Sequence, residues 1–337
     1  MATVQTPLEE QTAAPIAVPR IVSDAQVQRY LRDGFLAVED LVTGDELEQL
    51  KRDVVRVARG EYGADGLDPL PADAADAEVL DTVLCIHQPH HVSPVIRDFV
   101  RHERICGVLA QITGAHLPWW DGSVKCMQSM YFVKPPGFQG QAWHQDEIYI
   151  PTRDRSLLGA WIAVDDATVR NGCLWVLPGS HRKGYLYPQR EHGNRDEFDN
   201  GPESHGFDES GEQPVEVKAG TVVFFNGYLL HRSRRNRGNT YRRVLVNHYM
   251  NAWSLLPWHP KENERPASAD HRAVETVAGV DPYAWKGYEE PPRRVYLRRC
   301  KANEAATESS RAPADRVDSL PQDPSDDPPT FLTPPRR

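Results

Sequence analysis

Trp143-His144-Gln145-Asp146-Glu147 is the stretch that decides how this chain is read. It belongs to a run predicted as a strand over residues 142–149, where side chains alternate between faces, so His144 and Asp146 are expected on the same face. A neutral imidazole and a carboxylate placed in this way offer a divalent metal two ligands from one short segment. His231, just past a second apolar run (Thr221 to Asn226), offers a third. Two histidines and one carboxylate leave open coordination positions, the arrangement used by non-haem iron(II) oxygenases. His-x-Asp by itself is a weak signal, and each residue taken singly reads as an ordinary polar residue at a strand end.

Outward from this stretch, strands are predicted over 125–134, 142–149, 157–164, 173–177, 214–218, 221–226 and 242–250. Many strands joined by turn-like connections predict a sandwich or barrel. The expected fold is mainly β with flanking helices: a double-stranded β-helix (jelly-roll, cupin-like) core. Upstream, Ser23-Asp24-Ala25-Gln26 and Thr43-Gly44-Asp45-Glu46 read as capping boxes. They open helices to about Arg32 and about Ala58, the second carrying Leu47, Leu50, Val54 and Val57 at helical spacing. Gly60 to Asp76 reads as a loop and Pro94 to Thr113 as one helix. Residues 1–20 are expected to be disordered, 21–300 to form a single domain (helical support 21–115, jelly-roll core 120–260), and 301–337 to be a disordered tail. Tyr187 to Gln213, polar and Gly-rich, reads as a lid over the substrate or an inert surface excursion.

Around the opening stretch lie Ala160-Trp161-Ile162-Ala163-Val164-Asp165-Asp166, Asn171-Gly172-Cys173-Leu174, Pro178-Gly179-Ser180-His181, Gly220-Thr221-Val222-Val223-Phe224-Phe225, His231-Arg232-Ser233 and Tyr241-Arg242-Arg243. With these motifs in this order and spacing, from about Val22 to about His259, the chain resembles the phytanoyl-CoA dioxygenase family of iron(II)- and 2-oxoglutarate-dependent oxygenases. The resemblance implies iron(II) held by His144, Asp146 and His231, with 2-oxoglutarate and dioxygen as co-substrates and succinate and carbon dioxide as co-products. Relatives that halogenate lack the carboxylate, so Asp146 implies hydroxylation or another oxidation. It also implies Arg242, eleven positions after His231, as partner of the distal carboxylate of 2-oxoglutarate, a role suited to a planar guanidinium. Strand parity allows only one of Arg242 and Arg243 to face inward and does not choose between them, since Val244 and Val246 continue one face and Leu245 the other; the resemblance chooses Arg242. Ser233 matches a position that hydrogen-bonds the same carboxylate. Met130 and Trp161 match positions lining the co-substrate pocket, though core packing explains both equally well.

Glu147, Tyr149 and His87 are candidate substrate contacts. A regular strand would turn the first two away from the metal face, and a bulge or strand end would bring either back. His87, His90 and His91 read chiefly as a polar loop, and Arg232, Arg234, Arg235 and Arg237 as a solvated one. A net charge of −9 over 337 residues argues against nucleic-acid binding. No apolar run approaches the ~18 residues of a membrane span. Met1 to Pro19 has neither a basic start nor a sustained apolar stretch, so no secretory signal is expected. Five singly scattered cysteines read as reduced thiols in a cytoplasmic protein. The partner is a small-molecule substrate, and oligomeric state is not legible. Two rival readings are a metal-dependent jelly-roll hydrolase or isomerase, which leaves Arg242 unexplained, and a non-catalytic jelly-roll binding protein, which leaves the intact triad unexplained.

Overall fold

Both capping boxes form. Ser23 Oγ accepts the Gln26 N–H while Gln26 Oε1 accepts the Ser23 N–H (3.3 and 2.9 Å), opening α1 (Asp24–Asp33). Thr43 and Glu46 repeat the exchange at the start of α2 (Gly44–Ala58). Gly34 ends α1 at φ 83°, a left-handed position that suits a residue without Cβ. The chain then enters β1 (Phe35–Val38). This computed structural model describes residues 14–64, 73–81, 83–255, 274–286 and 293–299, and the tail expected over 301–337 lies outside them.

After α2 come α3 (Asp76–Asp81), β2 (Val83–His87), α4 (Pro94–Val100) and α5 (Glu103–Ile112). The single helix predicted over Pro94 to Thr113 is therefore two. His102 leaves helical geometry at ψ 118° and caps α5, its Nδ1 accepting the Ile105 N–H. Residues 14–20 also depart from expectation, since Ile16 exchanges backbone hydrogen bonds with Gly279 (2.8 and 2.9 Å).

The strands that follow are β3 (Val124–Lys134), β4 (Gln141–His144), β5 (Leu158–Ala163), β6 (Leu174–Val176), β7 (Gln189–Arg190), β8 (Glu203–Ser204) and β9 (Gln213–Val215). Next come β10 (Val222–Asn226), β11 (His231–Ser233), β12 (Arg242–Asn251), β13 (Glu275–Ala278) and β14 (Tyr296–Arg299). One antiparallel sheet runs β1-β10-β5-β12-β3-β2-β14, with β13 also on β3; a second runs β4-β11-β6-β9. This is the jelly roll. Residues on both sides of 120–260 enlarge its main sheet.

Period-2 alternation splits the core in two. On one face of the main sheet, Ala160, Ile162, Val222, Phe224 and Leu245 pack with Leu47, Leu50 and Val54 of α2 and Ile105 and Leu109 of α5. On the other, Trp161, Ala163, Val223, Phe225, Val244 and Val246 pack with Leu174 and Val176 of the smaller sheet. The functional side chains open from this second face. Cys85, Cys106, Cys126 and Cys173 are buried free thiols.

The segment 187–213 is built into the fold. It holds the β7–β8 pair, Phe198 bridges to Gly140, and Asp199 N–H donates to the Gly140 carbonyl.

Candidate active site

The second sheet begins where β4 and β11 pair, with His144 directly opposite His231. Their rings lie 4.0 Å apart between centroids. His144 Nδ1–H donates to the Ala142 carbonyl and His231 Nδ1–H to the Leu229 carbonyl, at 2.8 and 2.9 Å. Because a carbonyl only accepts, both Nδ1 atoms carry the proton and both Nε2 atoms present lone pairs. Burial among these rings pushes His231 down to about 4, which keeps it a neutral ligand at physiological pH.

Asp146 arrives by another route than the one expected. The strand does not continue to Tyr149; it ends at His144, and Asp146 opens a 3-10 turn over Asp146–Ile148. Buried Gln145 fixes that exit by donating to the Tyr185 and Tyr228 carbonyls and accepting the Tyr187 N–H. Asp146 Oδ1 then stands 3.7 Å from His144 Nε2 and 3.6 Å from His231 Nε2. All three donor atoms lie within 4.8 Å of one another, a spacing suited to a single metal ion. Oδ2 accepts from His248 Nε2 at 2.9 Å. Burial works against the Asp146 charge, but the imidazoles of His231, His248 and His144 outweigh it and hold the carboxyl below the usual range.

The triad opens into a cavity of about 590 Å³. Its lining includes Arg242, Ser233, Trp161 and Met130, all named above as co-substrate candidates, and His87 and Tyr149, named as substrate candidates. Arg242 shares a face with Val244, Val246 and His248 along β12, and Arg242, Val246 and His248 line the cavity. Its guanidinium lies 5.6 Å from the Trp161 ring centroid. Arg242 is 4% exposed, its Nε has no hydrogen-bond partner, and no carboxylate among the described residues lies within ion-pair distance. Burial lowers it to about 10. Arg243 faces the other way and holds Asp165 through Nε and Nη2, at 2.8 and 2.7 Å.

Glu147 does not reach the cavity. Its Oε1 accepts the Thr152 N–H and hydroxyl beyond the turn, and burial raises it to about 7. The strand end thus brings Tyr149 back to the cavity and leaves Glu147 behind. His90 and His91 occupy a short 3-10 turn, not an open loop, and His90 hydrogen-bonds Ser129. Burial pushes His87, on the cavity wall, down to about 4.

The arginine loop is not merely solvated, although Arg237 is exposed. Arg232, its guanidinium 4.4 Å from the Trp143 ring centroid, pairs with Glu209 and Glu212. Arg234 pairs with Glu212 and Arg237 with Glu197. Polar residues of the site that went unnoticed in the sequence include His248 and Lys134. Lys134 is 4% exposed, lines the cavity and pairs with Arg242 in the β3–β12 register. Strand parity carried the signal for each: Lys134 shares a face with Met130, and His248 with Arg242.

A family model for phytanoyl-CoA dioxygenase (PhyH) matches residues 30–244. Phytanoyl-CoA dioxygenase domain-containing protein 1 of Bos taurus is 28% identical over 292 residues, covering 73% of this chain and 97% of that protein. The phytanoyl-CoA dioxygenase of Arabidopsis thaliana is 32% identical over 177 residues, 51% of this chain and 59% of that relative, so the match spans about three-fifths of the plant protein. Among solved structures, EvdO2 of Micromonospora carbonacea, complexed with 2-oxoglutarate, superposes with a TM-score of 0.52 at 23% identity, covering 74% of this chain and 96% of that one. The epimerase SnoN, in complex with Fe3+, alpha ketoglutarate and nogalamycin RO, gives 0.54 at 20% identity, covering 74% and 97%. At those identities the superpositions show the shared jelly-roll fold. With a family model matched over most of its length, the chain belongs to the phytanoyl-CoA dioxygenase family of iron(II)- and 2-oxoglutarate-dependent oxygenases.

Proposed function

We propose that this chain oxidises a C–H bond of a small molecule, with hydroxylation as the default outcome, using iron(II) held by His144, Asp146 and His231. Iron(II) with 2-oxoglutarate and dioxygen supplies the oxidising chemistry, releasing succinate and carbon dioxide. The protein's part is to hold, orient and exclude water. His144 and His231 present Nε2 because their Nδ1–H groups are tied to backbone carbonyls. Asp146 presents one carboxylate oxygen because His248 occupies the other. Arg242 and Ser233 receive the distal carboxylate of 2-oxoglutarate, with Trp161 and Met130 as walls. Phe225, its ring 4.7 Å from that of His231, closes the apolar side. Tyr149 and His87 line the same cavity and face the substrate.

The observation that carries this reading is the buried Arg242 guanidinium without a counter-charge, in the same cavity as three converging metal ligands. A buried cation of this kind is costly unless a ligand neutralises it. A hydrolase or isomerase using the same three ligands has no task for it. The test is incubation with iron(II), 2-oxoglutarate and a metabolite extract, reading succinate release coupled to a one-oxygen mass gain. His144→Ala, Asp146→Ala and His231→Ala should each abolish both signals while remaining folded. Succinate release that persists in all three would overturn the assignment.

A further inference from the structure

We propose that Lys134 is a second cation for the distal carboxylate of 2-oxoglutarate, so that two buried cations on adjacent strands, Lys134 and Arg242, clamp one carboxylate. The inference rests on the co-substrate reading above.

An ammonium has three N–H donors. Lys134 gives one to Ser233 Oγ at 3.0 Å and one to the Arg234 carbonyl at 2.7 Å, so these partners leave one donor unclaimed on a residue that lines the cavity. Arg242 contributes an Nε with no partner in the same cavity. No carboxylate among the described residues pairs with either cation. Glu197 and Asp199, the acids whose charge Lys134 feels, are held by Arg237 and Arg298. Burial, with Arg242 beside it, drives Lys134 well below the ordinary lysine range, the mark of a cation lacking an anion. Cys173, also facing it, is a buried thiol whose own ionisation burial disfavours.

Two like charges buried together without a partner are destabilising on their own. An arriving carboxylate resolves the repulsion by accepting from both, as charge-assisted hydrogen bonds. By donating to Ser233 Oγ, Lys134 occupies an acceptor position of that hydroxyl and leaves its hydrogen free to donate toward the same anion. Guanidinium, ammonium and hydroxyl then converge on one carboxylate.

The test compares two oxo acids on the anaerobic iron(II)-loaded protein by calorimetry: 2-oxoglutarate, and 2-oxopentanoate, which has the same chain without the distal carboxylate. Lys134→Met keeps most of the length of the side chain and removes its charge. It should weaken 2-oxoglutarate at least tenfold and leave 2-oxopentanoate within twofold. Equal weakening of both acids, or of neither, would overturn the role of Lys134. Arg242→Gln is the control. If it too leaves the preference between the acids intact, the co-substrate reading itself falls; if it removes the preference while Lys134→Met does not, only the second cation falls. Should Lys134→Met fail to fold, Lys134→Gln, which retains a donor to the Arg234 carbonyl, answers the same question.

Discussion

Replacing His248 by Phe should loosen the metal without touching a metal ligand. His248 is 2% exposed, and its Nε2 donates to Asp146 Oδ2 at 2.9 Å. Phenylalanine keeps the ring and most of the packing and removes the donor. Oδ2 is then left buried on a carboxylate whose other oxygen faces the two imidazoles, free to rotate and compete for the metal. A hydrogen bond to a charged group contributes about 1.5–3 kcal/mol. Loss of a residue that orients a metal ligand costs about 10–100-fold in metal affinity, or roughly 1.4–2.7 kcal/mol. The two figures agree, so the expected loss in iron(II) affinity is about 10–100-fold. Anaerobic competition against a chromophoric chelator reads it directly. Turnover adds a second signal, since a wandering Asp146 should raise the ratio of succinate released to substrate oxidised. His248→Gln, which keeps an N–H donor, should recover part of the affinity. Wild-type iron affinity in His248→Phe would show that the turn and the two histidine strands position Asp146 unaided.

Further outcomes follow from the same geometry. Arg242→Ala should raise the KM for 2-oxoglutarate tenfold or more, while Arg243→Ala should leave it unchanged and lower stability by about 1 kcal/mol through loss of the Asp165 pair; similar kinetics for the two would mean the wrong arginine is in the cavity. Gly140→Ala should destabilise the chain by several kcal/mol in urea titrations and weaken iron binding, because the new Cβ would meet the Ser233 carbonyl oxygen at 1.8 Å, where β4 and β11 pair to bring His144 opposite His231; a variant of wild-type stability would rule that close approach out. Burial sets His87 near 4 and His90 near 3, against about 6.5 when unfolded. Between those values the unfolded chain binds more protons, so metal-free stability should fall as pH drops below about 6.5, by up to about 1.4 kcal/mol per pH unit for each group. A melting temperature that falls less steeply from pH 7.5 to 5 in His87→Gln than in the parent chain would assign one share; no fall in the parent would refute both.

Much of this architecture was legible because its causes are local. Capping boxes satisfy orphan N–H groups within four residues, and the strands of the main sheet carry the alternation that splits the two cores. The metal ligands were legible as residue types, but the geometry uniting them was not. His144 and Asp146 were assigned to one strand face, whereas a 3-10 turn held by Gln145 delivers the carboxylate. Gln145 looks like a spacer in sequence because its partners, Tyr185 and Tyr228, are far along the chain. Arg242 and Arg243 could not be separated by parity while both faces of β12 were apolar. Asp165, which claims Arg243, becomes its neighbour only in the folded sheet. Lys134 and His248 were missed for a related reason: each is one of several polar residues on its strand, beside Gln128 and Ser129 on β3 and Asn247 and Asn251 on β12, and what gives it meaning is the cavity across the sheet.

The acidic segment 187–213 and the arginines of 232–237 show the same limit at larger scale. Taken separately, one reads as a lid or a loose excursion and the other as a solvated loop, because local pattern has no access to pairing over tens of residues. Folded, they are partners. Glu197 accepts the Arg235 N–H and pairs with Arg237, while Glu209 and Glu212 take Arg232, and Glu212 also takes Arg234. Arg232 is 9% exposed, and breaking a buried pair by removing one partner costs about 3–5 kcal/mol. Asp199, Gly201 and Pro202, which line the cavity, lie between these anchors. Arg232 directly follows the ligand His231, so this wall of the cavity is tied to the strand that carries a metal ligand. Opening the whole segment would break pairs at both anchors at once. A movement of this segment that keeps both anchors is confined to the stretch between Glu197 and Glu209, and substitutions at Glu212 should reach the metal site through Arg232 before they alter the cavity mouth.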